Sequence, residues 1–138
     1  MVILSVDYGD VRTGIAVCDK NEILAYPVKV ITETDRARLA EQILSAAEEL
    51  KAELIVVGLP VNMDGSQGFR ADACRELADE LKNGSSINVE MYDERLTTVS
   101  AGKALNATDT RGKKRKSVID AVSAVIILED YLRYRKNK

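Results

Sequence analysis

The sequence predicts an α/β fold: a five-stranded mixed sheet in the order 3-2-1-4-5, with helices on both faces. Three observations lead there. The first thirty residues hold three short apolar runs joined by brief polar turns, the pattern of an antiparallel meander. From about residue 35 the hydrophobic spacing becomes helical, and helix then alternates with strand. Finally, LIVV at 54–57 is apolar on both faces, as a central parallel strand is.

Val2–Val6 forms the first strand and runs into the turn-like DYGDVRTG, which contains Gly9 and Gly14. Ile15–Cys18 is the second, closed by Asp19-Lys20-Asn21-Glu22, and Ile23–Ile31 is the third. Asp35–Lys51 places Leu39, Ile43, Ala47 and Leu50 on one helical face. Leu54–Val57 is strand four. Gln67–Lys82 returns to helical spacing with Phe69, Ala73, Leu77 and Leu81, and Asn83-Gly84 ends it, because Gly tolerates the left-handed cap. Ile87, Val89 and Met91 alternate with polar residues as strand five. A short helix over about 97–106 follows, then a loop through ATDTRGKKRK, then a last helix from Ser117 to about Tyr134. Right-handed crossovers set strands one, four and five side by side and parallel. The C-terminal edge of such strands is where an α/β sheet builds its site. Asp7, Gly58-Leu59-Pro60 and Asp93-Glu94-Arg95 fall on that edge.

The chain of 138 residues is expected to be one domain, 1–138. A length of this order buries roughly 68% of the unfolded surface, enough for an independent core. With no histidine, zinc sites built on His, Ser-His-Asp and Cys-His machinery, and any His general base are excluded. Two cysteines, Cys18 and Cys74, are too few for a zinc cluster or a disulfide framework and read as small buried residues. Five Tyr, one Phe and no Trp supply a base-stacking platform poorly. The N-terminus does not read as a signal peptide. The longest apolar run, AVSAVIIL at 121–128, is far short of the roughly 20 residues of a membrane span. The expectation is a cytoplasmic protein with no membrane partner. The net charge of −2 hides an asymmetry: residues 111–138 hold nine Lys and Arg against three acids, whereas 1–110 carry eleven against nineteen. That split fits either an end that faces a polyanion or a solvated basic tail.

Several acids stand where chemistry would want them, each with a plainer reading beside it. Asp7 is either a turn-forming residue or a ligand. Asp93 and Glu94 either cap a following helix or point into the sheet edge. Ser117-Val-Ile-Asp120 matches a capping box. Yet Asp120 shares a helical face with Ala124, Ile127 and Tyr131, where a carboxylate is costly unless bonded, paired or on a metal. Strands one and five lie two sheet spacings apart, roughly 9–10 Å. Acids reaching inward from both ends, with a third from the last helix, would form an all-oxygen cluster suited to magnesium or manganese rather than zinc. Clustered carboxylates with hard cations suit phosphodiester hydrolysis. The basic RGKKRK stretch at 111–116 directly precedes the helix bearing Asp120, as a nuclease holding a phosphate backbone would want.

Four stretches, DYGDVRTGIAV (7–17), IVVGLPVNMDGSQGFRA (55–71), DERLTTVSA (93–101) and KKRKSVIDAVSAVIIL (113–128), resemble the YqgF/RuvX family in order and spacing. That family is described as Holliday junction resolvases or pre-16S ribosomal RNA nucleases with a ribonuclease H-like fold. The resemblance implies that Asp7, Glu94 and Asp120 are the metal-binding catalytic acids, with Glu94 preferred over Asp93. Arg12, Asn62, Arg70 and Arg95 become substrate-handling positions beside the basic run Lys113, Lys114, Arg115 and Lys116. Arg95 has the alternative of pairing with Asp93. Gly9, Gly14 and Gly65 become structural positions at the site. The implied cofactor is a divalent metal, magnesium or manganese, and the implied partner is structured RNA or branched DNA. Monomer and homodimer stay open, since a symmetric cut of a junction asks for a dimer. Two other classes share this sheet: a nucleic-acid-binding module without cleavage, and an actin-like ATPase, which needs two such domains.

Overall fold

The computed structural model describes residues 1–59, 69–93 and 112–136. Strands β1 (Ile3–Asp7), β2 (Arg12–Cys18), β3 (Ala25–Thr32), β4 (Leu54–Leu59) and β5 (Asn88–Asp93) form one sheet, ordered β3-β2-β1-β4-β5. β2 is antiparallel to β1 and β3, while β1, β4 and β5 are mutually parallel. The predicted mixed sheet and its order therefore hold, and the strand ends shift by a few residues. The largest shift is in β2, which starts at Arg12 rather than Ile15.

Helices α1 (Arg36–Glu49) and α2 (Phe69–Gly84) cover one face and α3 (Gly112–Lys136) the other. Strand alternation sorts the core accordingly. Leu4 and Val6 of β1 pack with Leu39, Ile43, Leu77 and Leu81, whereas Ile3 packs with Ile127 and Leu128 of α3. Asp35 is the N-cap of α1 rather than its first residue, its carboxylate accepting from the Ala37 and Arg38 amides. Arg36 joins the two helices of that face through Glu76 at 2.5 Å and Glu80 at 3.2 Å. On α2 the buried face runs through Ala71, Cys74, Leu77, Ala78 and Leu81; Ala73 is only half-buried. Among the described residues no helix is long and apolar enough to cross a membrane.

The expected loop over 107–116 is corrected at 112–116, where α3 begins at Gly112, while 107–111 lie outside the described residues. Lys and Arg propagate helices nearly as well as Ala, so the basic run continues the helix once Gly112 has opened it. Ser117 then lies inside α3, and the capping box of Ser117 and Asp120 does not exist. The predicted helix over 97–106 lies outside the described residues.

The C-terminal end of α3 is tied to the start of β1 through one carboxylate. Glu22, in the β2–β3 turn, accepts from Arg135 Nε at 2.8 Å and pairs with the Met1 ammonium at 3.0 Å. Glu22 holds a left-handed φ of 57°, a costly conformation for a residue with a side chain, and these bonds help retain it. Apolar burial still does most of the fixing: each fully buried Leu or Ile contributes about 1.5–3 kcal/mol, against about 1 kcal/mol or less for a half-exposed ion pair. Arg135 first, and then the Met1 ammonium, hold the Glu22 carboxyl below the ordinary range. A depressed carboxylate stabilises the fold above its unfolded pKa and ceases to as pH falls through its folded one. Glu22→Gln is therefore expected to cost about 1 kcal/mol at neutral pH. The deficit should vanish in acid, below the usual carboxylate range, as read by urea unfolding at several pH values.

Candidate nuclease site

Three described elements end on one edge. β1, β4 and β5 are parallel and finish at Asp7, Leu59 and Asp93, with Leu59 and Asp93 registered as partners. β2 runs the other way, so Arg12, its first residue, opens on the same edge. Between them the chain makes the turn Tyr8-Gly9-Asp10-Val11. A Cβ on Gly9 would collide with the Arg12 carbonyl oxygen, so only Gly allows this close approach. The Gly9 amide donates to the Thr13 hydroxyl at 3.4 Å, and Thr13 is fully buried. Gly14 is the strand partner of Asp7, so the residue directly across from Asp7 on β2 carries no side chain.

The placement of Asp120 follows from two fixed points. Ser5 Oγ donates to the Ala124 carbonyl at 2.7 Å in the core, and Glu22 gathers both Arg135 and Met1. From Ala124 to Arg135, α3 thus runs toward the start of β1, antiparallel to it. Moving the opposite way, Asp7 lies two strand residues beyond Ser5 on the same face, roughly 6–7 Å along. Asp120 lies four helical residues beyond Ala124, about 6 Å along and near the same side of the helix. The backbone therefore carries Asp7 and Asp120 to the same end of the β1–α3 interface. β5 is drawn against α3 as well: the Tyr92 and Tyr131 rings meet edge to face at 5.8 Å, and the Tyr131 hydroxyl donates to Glu90. Burial, and then that carboxylate, push the Tyr131 hydroxyl up to about 12.

The remaining predicted positions divide. Arg70 is the second residue of α2, whose start follows the edge where β4 ends, and Lys113, Lys114, Arg115 and Lys116 fill the first turns of α3. The side chains of these residues and of Asp120 are outside the described part of the structure. Asn62, Gly65, Glu94 and Arg95 lie outside the described residues altogether. Among the described residues no three metal-ligating side chains gather. Sequence reasoning passed over Ser5, although a lone hydroxyl inside ILSVD was its visible signal.

The sheet order and the helices on both faces are those of the ribonuclease H-like fold in its RuvC-type form. The fold is similar to that of Thermus thermophilus RuvC in complex with Holliday junction substrate. That match has a TM-score of 0.63 at 13% identity, over 99% of this chain and 96% of that one. It is also similar to the fowlpox virus Holliday junction resolvase, with a TM-score of 0.59 at 14% identity over 97% and 99%. The model of the RuvX family, described as Holliday junction resolvase, matches residues 1–134. A relative from Halothermothrix orenii, provisionally named pre-16S rRNA nuclease, is 42% identical over 98% of this chain and 96% of its own. One from Chloroflexus aurantiacus with the same provisional name is 38% identical over 99% and 89%. The chain belongs to the RuvX family. It is a nuclease, a hydrolase of ester bonds.

Proposed function

We propose that the protein is a metal-dependent endonuclease whose catalytic carboxylates are Asp7, Glu94 and Asp120. The observation that carries this reading is the Ser5–Ala124 bond, from which the backbone brings positions 7 and 120 to one end of the same interface. Glu94 directly follows Asp93, the last residue of β5 on that edge. The donor set is all oxygen: the chain has no histidine, and Cys18 and Cys74 are buried in the core. Such donors fit magnesium or manganese. When bound, a cation of this kind lowers the pKa of a water and neutralises charge on the phosphate. The residues themselves orient the scissile phosphate. Arg12 stands on the edge where β2 opens, and Lys113–Lys116 present charge one to two helical turns from Asp120.

The two ends of α3 argue that the basic run has a ligand. At the C-terminal end, Arg133, Arg135 and Lys136 complement the helix dipole, and two of them pair with acids, Arg133 with Asp130 and Arg135 with Glu22. At the N-terminal end four cations oppose the dipole and no acid accompanies them in the first turn. Fold stability does not account for that placement; a phosphate backbone does.

The substrate is structured nucleic acid. The names of the relatives favour the precursor of 16S rRNA, and the family description favours a four-way DNA junction. Purified protein with magnesium or manganese, offered both substrates side by side, distinguishes them. Metal-dependent cutting of the rRNA precursor is expected, junction cutting would reassign the substrate, and no metal-dependent cutting of either would overturn the reading.

A further inference from the structure

We propose that Ser5 is a positioning residue: its hydroxyl sets the axial register of α3 on β1, and with it the spacing of Asp7 and Asp120. The inference rests on the reading of those two acids as catalytic. Ser5 is fully buried in an apolar strand, and its hydroxyl donates to the carbonyl of Ala124, 119 residues away in sequence, at 2.7 Å. Burying a hydroxyl and returning one hydrogen bond is close to neutral for stability. Stability alone therefore gives no reason for Ser rather than Ala.

What the bond adds is direction. The contacts of Ile3 with Ile127 and Leu128 hold the helix to the sheet, but such attraction is non-directional and permits sliding. A slide of α3 along its axis by about 1 Å keeps Ile127 and Leu128 against the sheet yet displaces position 120 from position 7 by the same amount, enough to misplace a catalytic group. Two other polar ties of α3, Tyr131 to Glu90 and Arg135 to Glu22, run through long side chains toward its C-terminal end. Those follow a slip by changing rotamer. Ser5 reaches through a single rotatable bond, two residues from Asp7 and four from Asp120 through Ala124.

Ser5→Ala isolates the role, because the Ala124 carbonyl keeps its in-helix partner and nothing buried is left unbonded. The melting temperature is expected to stay within about 2 °C of wild type. The kcat should fall about 10–100-fold with KM close to wild type, the signature of misplaced catalytic groups. Mn²⁺ alone, titrated into metal-free protein and followed by the EPR signal of the free ion, should bind about tenfold more weakly. Ser5→Cys, with a weak S–H donor, should lie between the two in both readouts. An order that does not follow donor strength overturns the proposal, as does Ser5→Ala with wild-type kcat and Mn²⁺ binding, or a kcat loss that only tracks a lost melting temperature. Asp7→Asn in the same titration separates the two claims: Mn²⁺ bound as tightly as by wild type would remove the underlying acid reading, whatever Ser5 does.

Discussion

Asp7→Asn is expected to reduce cleavage by about a thousandfold or more while the fold and nucleic-acid binding persist. The substitution keeps size and shape and removes one charged ligand from the edge where β1 ends. Without metal, the acids proposed for this edge repel one another, so the variant should melt at the wild-type temperature or slightly above it. With magnesium the order reverses, because a ligand stabilises the state that binds it and the wild type binds more. Cleavage assays, binding titrations and thermal melts with and without magnesium check the three statements together. Undiminished cleavage by the Asn variant would put the chemistry elsewhere, and a chain without histidine offers no equal second candidate.

Neutralising Lys113, Lys114, Arg115 and Lys116 together is expected to weaken nucleic-acid binding across sequences and to flatten its salt dependence. Each lost phosphate contact reduces the log–log slope by about 0.7–0.9. The same change should act on the fold with opposite sign. Four cations sit at the positive end of the α3 dipole, and each costs about 0.3–1 kcal/mol there at low salt, so the variant should be the more stable protein. Weaker binding with higher stability marks a surface kept for a ligand. A salt slope equal to that of the wild type would mark the run as a solvated helix end.

The sheet was legible in the sequence because its links are informative. Short polar turns after Val6 and Cys18 leave antiparallel pairing as the economical choice, and the two helical stretches force crossovers that lay β1, β4 and β5 in parallel. The edge carrying Asp7 and Asp93 followed directly. The start of α3 was not legible, because Ser117 and Asp120 match a capping pattern on local chemistry while the helix that overrides it is fixed by packing further along, at Ala124, Ile127 and Leu128. Ser5 was invisible as a partner of α3 for a related reason. One Ser in an apolar strand says nothing about which backbone carbonyl, 119 residues on, lies across from it.

The most direct test is a crystal of the protein soaked with Mn²⁺ and read by anomalous scattering. The expected result is one or two peaks at the C-terminal edge of β1, with carboxylate oxygens of Asp7, Glu94 and Asp120 at about 2.0–2.2 Å, the range of hard divalent cations. Asp7 and Asp120 carboxylates pointing apart, with the only Mn²⁺ peaks away from that edge, would contradict the account.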